Sequence, residues 1–307
     1  MIVILGTGGT IAGASARAQD HVGYKAGALS AVDLVAGVPA LAGQALEVAS
    51  LAQLDSCDMD HSTWVLLAQA VLHHAARPEV LGVVITHGTD TLEETAFFLH
   101  HTVPADKPVV LTAAMRPATA PSADGPQNLI DAITVARSAG ARGVLAVLGG
   151  TVYAGAELRK VHGYRVDAFS SGDAGALAVV EDGQLRRFRD WPSGEPVHAG
   201  VLQTDPASWP VVDIVTSHAG ARGATIDALV AAGASGLVIA GTGNGSLHKN
   251  LTEAAHRALS QGVVVRRASR CLLGGVVGTP PQALPSAGQA TPAQARVKLM
   301  LELLQRL

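Results

Sequence analysis

The sequence predicts an α/β protein: a larger N-terminal domain on a mainly parallel sheet with flanking helices, then a smaller C-terminal α/β domain. Three observations carry this. Short apolar runs of β type alternate with segments of helical length from Ile2 to about Leu148, and again from Val211 onward. That is the rhythm of parallel strands joined by crossover helices. Around residues 190–210 proline, glycine and polar residues break the rhythm, which places a linker there and domains at 1–189 and 211–307. The composition also suits a well-buried fold: of 307 residues, 48% are hydrophobic and only 15% charged, too apolar for a disordered chain.

The chain opens with MIVILGTGGTIAG. Ile2 to Leu5 reads as a strand that breaks into the loop Gly6-Thr7-Gly8-Gly9-Thr10. In an open α/β sheet such a loop sits at the carboxyl edge, where ligands bind. Its glycines allow close backbone approach, and Thr10 ends that approach with a hydroxyl. A dinucleotide cradle fits poorly, because Ile11 stands where its third glycine should be. A polar, flexible-looking stretch follows from Ala14 to Ala28, with Tyr24 inside it.

Residues 31–37 predict a short helix, and Leu46 to Leu51 a strand. The loop from Leu54 to Asp60, with Ser56 and Cys57, leads into an amphipathic helix from His61 to about Ala76. The second informative stretch is GVVITHGTDTLEETAFFL, residues 82–99. A buried strand turns at His87-Gly88, and Thr89-Asp90-Thr91 opens a helix whose early carboxylates complement its dipole. Thr89 and Asp90 read equally well as plain helix caps. Two strand-to-threonine loops in one sheet, however, can converge on one pocket.

Further βα units follow: a strand at Pro108 to Thr112 closed by Ala113-Ala114, a helix from about Asp124 to Ala139, and a strand at Val144 to Leu148. Thr151 to Lys160 reads as a hairpin-like excursion, and strand signals run to about Phe188. The second domain is predicted as strand 211–216, helix 225–232, strand 236–240, helix 248–260 and strand 262–266. Thr291 as N-cap and Pro292 at the first helical position announce a C-terminal helix.

Other function classes fit poorly. A net charge of −3 and 3% aromatic residues give no footprint for nucleic acid. The two cysteines, Cys57 and Cys271, make no disulfide framework and read as free thiols. No apolar run reaches the ~18 residues of a membrane-spanning helix. No basic leader precedes the first strand, so a cytoplasmic protein is expected. The paired histidines His73-His74 and His100-His101 lack metal-ligand spacing, and no cofactor is expected.

The two threonine motifs resemble those of the bacterial-type L-asparaginases, amidohydrolases with a threonine nucleophile. Leu111-Thr-Ala-Ala-Met-Arg-Pro117, Ser122-Ala-Asp-Gly-Pro126 and Gly241-Thr-Gly-Asn-Gly-Ser246 follow in the family's order, so the similarity covers nearly the whole chain. The resemblance implies hydrolysis of L-asparagine, with glutaminase activity weak or absent. It implies Thr10 as nucleophile, Tyr24 beside it on a mobile lid, and a second group of Thr89, Asp90 and Lys160. It implies Gly9, Ser56, Gly88, Asp90 and Ala114 around the substrate, with Ser56 on its α-carboxylate. Ser246 would reach a neighbouring site in a homotetramer built as a dimer of dimers.

Two departures stand out. Cys57 occupies the place of the family's usual glutamine. The stretch Cys271 to Gly288 has no acidic residue, whereas the family supplies a glutamate there for the substrate ammonium of the neighbouring site. Losing a charge-assisted contact costs about 1.5–3 kcal/mol, so weaker substrate binding is expected. A sensor that binds asparagine without turning it over would lack the nucleophile and Lys160, both present here. An amidotransferase subunit would carry a further N-terminal domain.

The chemistry leaves one question open at this point. Thr10 needs a proton acceptor, and a tyrosine with an ordinary pKa near ~10 is mostly protonated at neutral pH. Lys160 could accept a proton if neutral, but burial and Asp90 push its pKa in opposite directions.

Overall fold

The computed structural model describes residues 1–307 except 18, 21, 105, 195–198, 279–282 and 307. Two compact units are present, Met1–Leu202 and Gln203–Leu307. The division falls inside the stretch read as a linker.

The first unit is organised by an eight-stranded sheet. Its parallel part holds β1 (Ile2–Gly8), β2 (Leu46–Leu54), β3 (Gly82–Thr86), β4 (Pro108–Thr112) and β5 (Gly143–Leu148). In space these run β2-β1-β3-β4-β5, each pair parallel. Antiparallel strands β6 (Thr151–Ala154), β9 (Ala178–Glu181) and β10 (Gln184–Arg187) extend the β5 edge. The small pair β7 (Arg159–Lys160) and β8 (Phe169–Ser170) stands apart from that sheet.

Four helices cover the faces: α1 (Ala31–Ala36), α2 (His61–Ala75), α3 (Leu92–Thr102) and α4 (Gly125–Arg137). Because side chains alternate along a strand, Ile2, Ile4, Val84, Val110 and Val147 face one core with Leu34, Leu129 and Ile133. The intervening Val3, Leu5, Val83 and Ile85 are equally buried. This explains why the strands read as continuous apolar runs. Trp64 of α2 stacks on Phe98 of α3, ring centres 4.8 Å apart.

The order 2-1-3 has a functional consequence. The chain leaves β1 toward one side and returns on the other, so β1 and β3 form the topological switch point of the sheet. Ligands bind outside the carboxyl ends of strands at such a point. The two threonine loops leave those two neighbouring strands.

The second unit is a three-stranded parallel sheet in the order β11 (Val212–Thr216), β12 (Gly236–Gly241), β13 (Val264–Ser269). Helices α5 (Ala224–Ala231), α6 (Lys249–Ser260) and α7 (Pro292–Leu304) accompany it. Leu237, Ile239 and Val265 bury against Leu251, Ala254 and Ala258 of α6. Thr291 caps α7 in a capping box with Gln294, and Pro292 opens it.

Three local expectations are revised. The helix after Thr89 begins only at Leu92, with Thr91 at the cap position, so neither Thr89 nor Asp90 is spent on capping. Thr151 to Lys160 is not one hairpin: β6 folds back on β5 and β7 pairs with β8. The strand expected at Gly262 to Arg266 runs two to three residues later, at Val264–Ser269. Among the described residues no helix is long and apolar enough to cross a membrane.

Candidate active site

The site is assembled by two loops in backbone contact. Gly9 holds φ at +78°, and a Cβ on it would lie 2.3 Å from Gly88 Cα. A Cβ on Gly88 would lie 2.4 Å from Ser56 Oγ. No side chain fits at either position. These two glycines therefore let the Thr10 loop, the Thr89 loop and the Ser56 turn close on one another.

Hydrogen bonds lock that closure. Gly9 N–H donates to the Leu54 carbonyl at 2.9 Å. Asp90 N–H donates to Ser56 Oγ at 3.0 Å, and Thr91 Oγ1 donates to the Ser56 carbonyl at 2.7 Å. Ser56 is buried, and among the described residues its hydroxyl hydrogen meets no acceptor. Under the second loop lies fully buried His87. Its Nδ1 can only donate to the Gly88 carbonyl, 2.7 Å away, so its Nε2 is the acceptor. Thr95 Oγ1 donates to that Nε2 at 3.0 Å while accepting Trp64 Nε1–H at 2.8 Å. Burial pushes the imidazole pKa down to about 4, which keeps the ring neutral at pH 7 and leaves Thr95 as the donor to Nε2.

Backbone hydrogen bonds hold both ends of the Ala14–Ala28 stretch. Ala14 and Lys25 exchange backbone hydrogen bonds at 3.1 and 2.9 Å, and Gly27 N–H donates to the Gly9 carbonyl at 3.1 Å. Its residues 18 and 21 lie outside the described set. Tyr24 packs so closely over Gly13 that a Cβ there would lie 2.7 Å from its ring. That placement brings Tyr24 Oη to 2.5 Å from Thr10 Oγ1. Burial raises the Tyr24 pKa; the Thr10 hydrogen bond opposes this, while Asp55, Asp90 and Cys57 add to it. The phenol is thus held in its protonated form.

On the other side, Lys160 Nζ donates to Thr89 Oγ1 at 2.9 Å and to Asp90 Oδ1 at 2.5 Å. Thr10 and Thr89 are both buried, and the Lys160 side chain is 17% exposed against 53% for Asp90. The site thus has an inner pair, Thr10 with Tyr24, and a triad, Thr89 with Lys160 and Asp90. Among the described residues the backbone N–H groups of Thr10 and Thr89 meet no acceptor, which leaves both for a ligand oxygen.

Behind the site, the 111–126 region is a scaffold. Asp124 accepts Met115 N–H and Arg116 N–H, each at 3.0 Å. Asn128 Nδ2 donates to the Ala113 carbonyl at 2.9 Å. Ala114 follows in the same loop and is buried. Ala118 N–H donates to the Gly13 carbonyl at 2.9 Å, which ties this loop to the Thr10 loop.

Cys57 is exposed beside Ser56, and partial desolvation of its thiol together with the charges of Asp55, Asp58 and Asp90 raises its pKa. That is the reverse of an activated nucleophile. Ser246 belongs to the second unit, exposed in a turn bridged by Thr242 and Ser246. Of the stretch Cys271 to Gly288, residues 279–282 lie outside the described set. Sequence reasoning missed Asn128, which carries no motif signature; Glu93 lay inside a motif and read only as a helix-dipole carboxylate, and Asp124 lay inside a motif without a role assigned.

Known proteins match this architecture throughout. The N-terminal asparaginase model matches residues 1–193 and the glutaminase/asparaginase C-terminal domain model matches 211–307. The chain belongs to the asparaginase family. It is 37% identical to L-asparaginase 2 of Escherichia coli, over 99% of this chain and 89% of that protein. It is 36% identical to a probable periplasmic L-asparaginase of Haemophilus influenzae, over 99% and 88%. A glutaminase-asparaginase of Pseudomonas fluorescens is 37% identical over 90% of this chain and 77% of its own length. The crystal structure of a probable cytoplasmic L-asparaginase from Campylobacter jejuni superposes with a TM-score of 0.92 at 37% identity, covering 98% and 94%. This asparaginase-family chain is accordingly a hydrolase with the family's two-domain α/β fold.

Proposed function

We propose that this protein hydrolyses L-asparagine to L-aspartate and ammonia through an acyl-enzyme on Thr10, with glutaminase activity weak or absent. The observation that carries the reading is the 2.5 Å contact between Thr10 and Tyr24, facing a second threonine held by Lys160.

A protonated phenol is a poor base, so Tyr24 acts as a relay. It accepts the Thr10 proton while releasing its own to the leaving nitrogen. The Thr10 oxygen–carbon bond forms, the carbon–nitrogen bond breaks, and ammonia departs with the proton. Water then cleaves the β-aspartyl ester, positioned and activated by Thr89 and Lys160, and the proton returns to Thr10. The free N–H groups of Thr10 and Thr89 hold the oxyanion, a contribution of about 3 kcal/mol per donor.

Ser56 O–H takes the substrate carboxylate. Asp90, one oxygen engaged by Lys160, offers the other to the ammonium, with Gly9, Gly88 and Ala114 lining the remainder. Cys57 and an acid-free 271–288 stretch support weaker ammonium binding than in a site with the full complement of carboxylates. The proposal extends to domains at 1–189 and 211–307, a cytoplasmic setting, and a homotetramer in which Ser246 reaches a neighbour. Ammonia release from L-asparagine and L-glutamine tests the reaction, beside Thr10→Ala and Lys160→Ala. We expect asparagine turnover that falls by at least about 10³-fold in Thr10→Ala and 10²-fold in Lys160→Ala. Binding without turnover in the unmodified chain would instead mean a sensor.

A further inference from the structure

Glu93 stands in the first turn of α3, three residues beyond Asp90, and takes no part in the steps above. Its Oε2 accepts the backbone N–H of Lys160 at 2.6 Å. From the other end of that lysine, Nζ reaches Thr89 and Asp90. Strand β7 is two residues long and pairs with an equally short β8, so strand pairing gives the Lys160 backbone little restraint. The Glu93 contact therefore sets where the lysine stem begins. Small errors at the root of a four-carbon stem become large ones at its ammonium, and sites need support at the level of about half an ångström.

We propose that Glu93 is the positioning residue of the Lys160–Thr89–Asp90 group, and that its hold on the lysine backbone changes as Glu93 ionises. This rests on the hydrolase reading above. Burial raises the Glu93 pKa to about 7; Glu94 adds to that, while Lys160 N–H and the charges of Arg159 and Lys160 oppose it. Of the other elements packed on α3, β5 carries no titratable residue and α2 carries three histidines. Of those, His61 lies against the Trp64 ring, and His73 and His74 lie together beside Glu47 and Arg77. An ionised Glu93 accepts Lys160 N–H more strongly than a neutral one.

The test uses the full chain with Glu93→Gln, which keeps an acceptor for Lys160 N–H but cannot ionise, and Glu93→Ala, which loses both. In Glu93→Ala, kcat for asparagine is expected to fall about tenfold or more with KM within about threefold. In Glu93→Gln, kcat at its optimum stays within about threefold, and the inflection near pH 7 in the kcat profile disappears. A second readout does not need turnover. The chain has five lysines, so ¹³C methylation gives a small set of signals, with Lys160 assigned by Lys160→Arg. That signal should step near pH 7 in the parent and not in Glu93→Gln. An identical step in both overturns the proposal. So does Glu93→Ala that melts earlier yet keeps its kcat. A parent chain with the step but no ammonia release contradicts the hydrolase reading alone.

Discussion

His87 sits beneath the Thr89 loop with both ring nitrogens used, one as donor to Gly88 and one as acceptor from Thr95. A second proton would reverse the Thr95 bond, turning Nε2 from acceptor to donor. Its pKa is lowered to about 4 by burial, against about 6.5 in an unfolded chain. The neutral form is therefore the stabilised one. Its contribution, of order 3 kcal/mol, is complete above pH 6.5 and is lost as pH falls toward 4. Urea midpoints at pH 7.5 and pH 5 should show the parent losing more stability than His87→Gln. Equal losses would contradict the buried, neutral assignment. At Tyr24 burial acts on the opposite kind of group, raising the pKa of an acid. A Tyr24→Phe variant should lose kcat about 10²-fold or more with the fold intact, measured by ammonia release and thermal melting together.

The strand-to-loop units place the chemistry, and their contact depends on Gly9 and Gly88. Gly9→Ala should destabilise the chain by about 2–4 kcal/mol, from a positive φ and a Cβ driven into the Gly88 backbone. It should also reduce turnover, because the two threonine loops must separate. Normal melting and turnover in this variant would refute the close-approach account. These units were legible in sequence because their signals are local: an apolar run, small residues, a threonine. What was not legible depends on pairing across the chain. Thr151 to Lys160 looked like one hairpin because nothing local shows β7 reaching to β8. Glu93 read as a helix-dipole carboxylate, and only tertiary packing turns it onto Lys160. Asn128 reads as an ordinary helix residue and Asp124 as the residue before that helix until the Ala113–Arg116 loop folds over them.

For the whole molecule, the alternation of strands and helices was sufficient to predict a large and a small α/β unit, because burying parallel strands on both faces leaves few other arrangements. The assembly proposal rests on the family resemblance alone. The proposed homotetramer should sediment at four times the 31.2 kDa chain mass, and a species of one chain mass would contradict it. The acyl-enzyme remains the centre of the account. Turnover of asparagine should be quenched in acid within the steady state and the protein mapped by mass spectrometry. An aspartyl adduct on the peptide bearing Thr10, absent from Thr10→Ala, is the predicted result. An adduct on Thr89, or steady turnover with no adduct at either threonine, would contradict it.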